Sequence, residues 1–151
     1  MAEIIPLSES ENLCRIIFSP YHVTTDFKPK YAAFLPPYEC DEVSVNRLKY
    51  TDRTFCKVEG QKIEKQMQNK NPSAKKKYQG LVEITVEKIF SAGAKAKPTP
   101  RDYNLAHADI YYGILRVRDF PVPSILVVIL KKLEKEAIYL RDNNPQSNKW
   151  E

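Results

Sequence analysis

The sequence predicts a single α+β domain, in which a mostly antiparallel, twisted sheet of four to six strands is backed by a long C-terminal amphipathic helix. Several short apolar segments bounded by prolines precede one long amphipathic segment, an order that favours this class over alternating βαβ units. The chain has 151 residues, of which 42% are hydrophobic and 28% charged, enough for one folded core. We expect the domain to span residues 1–144 and a polar tail to follow over residues 145–151.

Four short segments in the first part of the chain have the composition of strands. Residues 13–19 are apolar and β-branched. Tyr31 to Leu35 forms a second candidate that ends at two prolines, which have no amide hydrogen for a sheet. Glu42 to Tyr50 alternates apolar and polar side chains, and Thr54 to Val58 is expected to continue that sheet.

The middle of the chain predicts a mixture of helix, loop and strand. Residues 61–70 are polar and indicate one or two exposed helical turns, followed by a loop that contains residues 75–77. Leu81 to Val86 has the composition of a strand, and Val86 to Ala92 is equally compatible with a short helix that ends at a glycine. Ala108 to Val117 predicts a further strand.

The C-terminal helix is predicted over Ser124 to Asp142, with Ser124 as its N-cap. Asn143-Asn144-Pro145 should end it. We expect its apolar stripe to pack on the sheet, and binding of a partner protein is the alternative. The stripe consists of Leu126, Leu130, Leu133, Ala137 and Leu140.

Composition excludes several classes of protein. The longest apolar run, residues 125–130, is far shorter than the roughly 20 residues that a membrane span needs. The acidic N-terminus is unlike a signal peptide, and three cysteines without a CxxC pair are a poor disulfide or zinc framework. Four glycines form no phosphate-binding loop and no nucleophile elbow. We therefore expect a cytoplasmic protein without a membrane contact, a metal or a cofactor.

The charge is unevenly distributed and predicts a binding surface. Residues 43–80 contain ten basic and three acidic side chains, a net charge of +7, and the aromatic residues Tyr50, Phe55 and Tyr78 are interleaved with this basic stretch. Aromatic rings alternating with cations are typical of sites for single-stranded nucleic acid. The leading hypothesis is therefore a module that binds RNA, DNA or another phosphate-bearing ligand through residues 47–78, and the alternative is a solvated loop. The candidate residues are Arg47, Lys49, Tyr50, Arg53, Lys57, Lys75, Lys76, Lys77 and Tyr78.

The two histidines of the chain suggest an enzymatic alternative. His22 and His107 could divide general base and general acid work in a metal-independent phosphodiesterase or ribonuclease, with Arg47 holding the phosphate. Residues 22–24 (His-Val-Thr) resemble the His-x-Thr motif of the two-histidine phosphoesterases. The second copy of that motif would be residues 107–109, where an aspartate takes the place of Ser or Thr.

A broader resemblance covers roughly residues 15–111, through the segments Arg15-Ile16-Ile17-Phe18, Ala33-Phe34, Ser44-Val45-Asn46-Arg47, Gly80 and His107-Ala108-Asp109-Ile110. Its skeleton is similar to that of a group of small bacterial proteins, and it implies no particular activity. The resemblance implies that Arg15, Ser44, Arg47 and His107 share one surface.

A third class of function remains open beside binding and catalysis. Residues 1–42 contain seven acidic and three basic side chains, a net charge of −4. A protein–protein adaptor could use this acidic N-terminal third or the C-terminal helix to hold its partner.

Overall fold

The computed structural model describes residues 5–24, 26 and 28–151. In these residues six strands form one sheet: β1 (Asn12–Ser19), β2 (Cys40–Arg47), β3 (Lys77–Thr85), β4 (Lys95–Pro98), β5 (His107–Arg116) and β6 (Ile138–Arg141). The sheet and its helices confirm the α+β class. The strands lie in the order β4–β5–β2–β1–β3–β6, and every neighbouring pair is antiparallel. The helices are α1 (Arg53–Lys70), α2 (Val86–Ser91), α3 (Ser124–Glu136) and a 3-10 helix (Tyr31–Phe34).

The two faces of the sheet are covered by different helices. One face packs against α2, α3 and the 3-10 helix, and its cluster joins strand residues such as Leu13 and Ile110 to Leu126 and Leu130 of α3. The other face carries a smaller cluster, which contains Cys14 of β1 and Cys56 of α1. Because strand side chains alternate between faces, adjacent residues of β1 supply the two clusters.

Helix α1 replaces a segment that the sequence predicts as strand. The expectation that Thr54 to Val58 continues the sheet is wrong. The Asp52 side chain accepts a hydrogen bond from the Phe55 amide at 2.8 Å, so it caps a helix that runs through this segment. Gly60 allows α1 to approach the sheet closely, because a Cβ there would lie 2.5 Å from the Tyr78 ring. The helical turns expected over residues 61–70 are confirmed as the end of α1.

The strand expected over Tyr31 to Leu35 is also wrong. A 3-10 helix forms there instead, and its adjacent side chains Ala33 and Phe34 are both fully buried in the cluster that contains α3. The Tyr112 hydroxyl donates a hydrogen bond to the Phe34 carbonyl and holds this turn against the core. Strand β2 ends at Arg47, three residues before the expected end at Tyr50.

The C-terminal helix is shorter than predicted. It ends at Glu136, and residues 138–141 form strand β6 on the edge of the sheet beside β3. Strand β6 begins with the β-branched Ile138 and the aromatic Tyr139, which favour a strand. Its pairing with β3 gives the backbone groups of β3 hydrogen-bond partners. Ser124 is the first residue of α3, and no side chain caps that end. Leu126, Leu130 and Leu133 are buried as expected.

The last residues of the chain lie against α1. The Lys57 ammonium donates hydrogen bonds to the Asn144 and Lys149 carbonyls at 2.7 and 2.9 Å. The Trp150 amide donates to Thr54 Oγ1 at 3.1 Å, and its ring packs on the cluster beneath α1. This segment therefore connects α1 to the outer edge of the sheet.

Candidate functional site: a cationic cavity beside helix α1

A cavity of about 470 Å³ opens on the face of the sheet that carries α1. Cys14, Asn46 and His107 form one row across β1, β2 and β5, because each is in register with the next. Helix α1 packs over β1 and β3, so the part of this face above β2 and β5 is left open. Residues 101–104 form a tight turn that bounds the open side. We call this space the Arg15 cavity.

Arg15 fills the gap where two central strands separate. Strands β1 and β2 pair at Leu13 and Cys14 and then diverge. In the opening, Arg15 Nε donates to the Ala33 carbonyl at 2.5 Å and Nη1 donates to the Ser44 carbonyl at 2.8 Å. Burial lowers the pKa of this guanidinium. Within the described residues, no carboxylate forms an ion pair with it.

His22 lies beside Arg15 and is held in one tautomer. The Phe18 amide donates to His22 Nδ1 at 3.1 Å, so the proton of the neutral ring is on Nε2. Burial, together with the charges of Arg15, Lys76 and Lys30, lowers the pKa of His22 to about 3. The ring is therefore a neutral hydrogen-bond donor at physiological pH.

Lys76 completes a positively charged end of the cavity. Burial and the nearby Arg15 charge lower its pKa. Its ammonium lies 4.5 Å from the centre of the Phe18 ring, and no carboxylate of the described chain pairs with it. Among the described lining residues the one carboxylate is Glu59, which contacts Lys62 at 4.0 Å. This end thus contains two cations without a counter-ion.

The opposite end of the cavity contains Arg101 and His107, and the charges of Asp109 and Glu42 act on both. Burial and the Arg101 charge lower the pKa of His107, and Asp109 opposes that shift. His107 Nδ1 is 2.8 Å from Thr99 Oγ1. Arg101 Nη1 donates to the Tyr103 hydroxyl at 2.8 Å, and both side chains line the cavity.

Arg47 does not line the cavity, although the sequence places it in both the binding and the catalytic hypotheses. Its side chain is 3% exposed and forms two hydrogen bonds with the Glu11 carboxylate, at 2.5 and 2.8 Å. It also donates to the Ile5 carbonyl at 2.7 Å. The expectation that Arg47 shares a surface with Arg15 and His107 is wrong, because Glu11 holds its guanidinium inside the protein.

Three more of the predicted binding residues form internal contacts. The Lys57 side chain is fully buried and pairs with Asp142 at 3.0 Å. The Tyr78 hydroxyl donates to the same carboxylate at 2.7 Å. Arg53 pairs with Glu83 at 2.6 Å and stays partly exposed. An external ligand therefore cannot reach Lys57 or the Tyr78 hydroxyl without displacing these partners.

The remaining predicted residues divide between the surface and the cavity. Lys49, Lys75 and Lys77 are exposed, and Tyr50 lies under the Arg47 guanidinium at 4.7 Å from ring centre to Cζ. Lys76 lines the Arg15 cavity, and so do both histidines.

Sequence reasoning missed the residues at the open side of the cavity. Arg101, Tyr103 and Asn104 belong to a segment that appears as an ordinary proline-bounded loop. A tight turn holds them in place, because the Arg101 and Asn104 backbones exchange two hydrogen bonds, at 2.9 and 3.0 Å. The available signal was that Arg101, Tyr103 and Asn104 lie three to six residues before His107 in the sequence.

Comparison with known proteins assigns no function to the Arg15 cavity. No family model, no curated protein and no solved structure matches the chain. In the described part of the chain, no helix is both long and apolar enough to cross a membrane. Over the same residues, no group of three or more His, Cys, Asp or Glu side chains is arranged to hold a metal ion.

Proposed function

We infer that the protein is an intracellular binding module that takes a phosphate-bearing anion into the Arg15 cavity. The observation that carries this inference is the pair of cations, Arg15 and Lys76, that share one end of a cavity without a carboxylate partner in the described chain. A phosphate-bearing ligand is also the hypothesis from the sequence. We assign that ligand to the Arg15 cavity instead of to the surface of residues 47–78.

The energetics of burial favour an anion at this end. A cation removed from water loses solvation, and an opposite charge nearby offsets that loss. The lowered pKa values of Arg15 and Lys76 report this cost. A guanidinium presents several N–H groups in a plane, which suits the oxygens of a phosphate.

His22 supports the same function as an uncharged donor. With Nδ1 occupied by the Phe18 amide, Nε2–H is free to donate to an anion oxygen. Because burial and the surrounding cations keep its pKa near 3, its contribution should not change between pH 5 and pH 9.

Calorimetric titration of the full chain with pyrophosphate tests the proposal. We expect Arg15→Met and Lys76→Met each to weaken binding by roughly tenfold or more, the loss typical of a charge-assisted hydrogen bond. Lys77→Met is the matched control, since Lys77 is the next residue and is exposed. It should change the affinity by less than about twofold, because exposed charges are screened.

Two results would refute the proposed anion site. The first is the absence of pyrophosphate binding at low salt. The second is binding that Lys77→Met weakens as much as Lys76→Met, because the anion would then be held by general surface charge. Circular dichroism of each variant checks that the fold is retained.

Catalysis is a second candidate because both imidazoles line one cavity. The reaction would require one ring to accept a proton from the attacking hydroxyl and the other to protonate the leaving oxygen. The tautomer of His22 disfavours it as a base, since its Nδ1 already accepts from Phe18. His107 is the better base, provided that Thr99 Oγ1 accepts from its Nδ1.

Cleavage of a fluorogenic diribonucleotide in the presence of EDTA separates binding from catalysis. For a binding module, the wild type should show no turnover above that of the double variant His22→Ala/His107→Ala. Turnover that each single substitution abolishes, with a bell-shaped pH profile, would establish the phosphodiesterase instead. The adaptor hypothesis stays a prediction from the sequence.

A further inference from the structure

The two ends of the Arg15 cavity differ in the chemistry that they offer a ligand. Arg15, Lys76 and the neutral His22 supply only donors and positive charge. The far end supplies the amides of Asn46 and Asn104 and the aromatic ring of Tyr103, together with the Arg101 guanidinium and His107. A ligand that uses both ends therefore carries an anionic group at one side and a planar, polar group at the other.

An exposed aromatic ring stands at the rim of the far end. Tyr103 is 74% exposed at the tip of the turn over residues 101–104. Its hydroxyl accepts a hydrogen bond from Arg101 at 2.8 Å, which holds the ring in place while its surface stays in contact with water. Such a ring is a platform on which a planar group can stack with little loss of side-chain entropy.

Two linked amides lie between the aromatic rim and the floor of the cavity. Asn104 Nδ2 donates to Asn46 Oδ1 at 2.7 Å, and Asn104 Oδ1 accepts from the Ala106 amide at 3.1 Å. These bonds fix the orientation of both side chains. They leave amide hydrogens of Asn46 and Asn104 for a ligand, since each amide carries two N–H groups. Neutral donors of this kind suit sugar hydroxyls or the edge of a base.

We propose that the ligand is a nucleoside phosphate, with its phosphate at Arg15 and Lys76 and its base stacked on Tyr103. The proposal rests on the proposed anion site and adds the class of ligand. A cavity of about 470 Å³ lies in the size range of small-ligand sites. The same chemistry is presented by a free mononucleotide and by the phosphorylated end of an oligonucleotide.

Titration of the full chain with ribose 5-phosphate and with adenosine 5′-monophosphate measures the contribution of the base. We expect the nucleotide to bind roughly tenfold more tightly, as one stacked base contributes in other sites. Tyr103→Ala should remove this difference and change the ribose 5-phosphate affinity by less than about twofold. Tyr103→Phe keeps the stacking face and should preserve it. Phe120→Ala, at an aromatic residue that is 70% exposed and does not line the cavity, is the matched control.

The outcomes separate this proposal from the anion site on which it rests. Equal affinity for the two compounds, with both still lost in Arg15→Met, overturns the nucleoside proposal and leaves the anion site in place. Failure of both compounds to bind overturns both. An adenosine gain that survives Tyr103→Ala also overturns the stacking proposal.

A third titration decides between the two sources of the nucleoside phosphate. Tighter binding of a 5′-phosphorylated tetranucleotide than of the mononucleotide supports the proposal with a strand end as ligand. Equal or weaker binding supports it with a free nucleotide. An unphosphorylated tetranucleotide that binds as tightly as its phosphorylated form would overturn the proposal, because the phosphate would then contribute nothing.

Discussion

Two groups of basic residues in this protein have opposite environments. In the interior, Arg47 and Lys57 are almost completely buried, and each pairs with a carboxylate, Glu11 or Asp142. In the Arg15 cavity, Arg15 and Lys76 have no such partner among the described residues. The interior pairs connect distant parts of the chain, whereas the cavity cations hold positive charge next to an open space.

This difference shows that a cation's role depends on which acid the fold brings to it. Lys57 belongs to the stretch with the highest positive charge, yet its ammonium serves to bind the C-terminal residues to α1. Arg15 belongs to the acidic part of the sequence and is the better candidate for binding an anion. Substitution of an interior cation should therefore mainly reduce stability, whereas substitution of a cavity cation should mainly weaken anion binding.

The largest loss of stability is expected from Lys57→Met. The substitution leaves the buried Asp142 carboxylate without its counter-ion, and it removes the donor to the Asn144 and Lys149 carbonyls and to the Ser147 hydroxyl. Breaking a buried ion pair in this way costs about 3–5 kcal/mol. Urea denaturation followed by circular dichroism measures the change.

An exposed lysine on the same helix is the control for that experiment. Lys62 has 65% of its side chain exposed and a weak contact with Glu59. Lys62→Met should change the free energy of unfolding by less than about 0.5 kcal/mol. Similar losses in both variants would show that the interior pairing of Lys57 contributes nothing special.

The next largest effect is expected at the other interior pair. Arg47→Met leaves the Glu11 carboxylate buried and should cost about 3 kcal/mol. The double variant Arg47→Met/Glu11→Leu should recover part of that loss, because no unpaired charge remains. Chemical denaturation of the wild type, of Arg47→Met, of Glu11→Leu and of the double variant gives the interaction energy of the pair. If Glu11→Leu destabilises the Arg47→Met variant as much as it destabilises the wild type, the two side chains do not interact, and the assigned ion pair is contradicted.

A smaller, pH-dependent effect is expected from His22. Its pKa is about 3 in the folded protein and near 6.5 when unfolded. The unfolded state therefore binds more protons below pH 6.5, and stability falls as the pH falls. Between pH 6.5 and pH 5 the loss from this group is on the order of 2 kcal/mol. The variant His22→Gln should show a correspondingly flatter stability profile in denaturation curves at these pH values, and an unchanged slope would refute the assignment.

The smallest effect on stability is expected at Arg15. Arg15→Met removes two hydrogen bonds to carbonyls and also removes a partly buried charge that lacks a carboxylate. These contributions oppose each other, so the free energy of unfolding should change by less than about 1 kcal/mol. Thermal denaturation provides the measurement. A loss as large as that of Arg47→Met would indicate that Arg15 is a structural residue.

The sequence was sufficient for the elements whose local pattern and burial agree. The strands over residues 13–19 and 108–117 are apolar and β-branched, and they form at those places with small shifts of their ends. It failed where a helix cap or pairing in the sheet overrides the local apolar pattern. Thr54 to Val58 looks like a strand but follows the Asp52 cap into a helix. Leu140 fits the helical stripe by spacing yet pairs with Leu81 in the sheet.

Some residues of the candidate site could be predicted from the sequence, and others could not. The two histidines line one cavity, as the enzymatic alternative requires. The role of Arg47 could not be foreseen, because its partner Glu11 lies 36 residues away and no local spacing reveals that pair. The position of Arg15 depends on the divergence of β1 from β2, which is a property of the whole sheet.

Nuclear magnetic resonance titration of the labelled full chain with pyrophosphate tests most directly whether the unpaired cations form the site. Side-chain and backbone signals of Arg15, His22 and Lys76 should shift with a single saturating curve. Signals of the interior pair Arg47 and Glu11 should stay unchanged. Shifts confined to exposed lysines such as Lys75 and Lys77, without saturation, would contradict the cavity as the binding site.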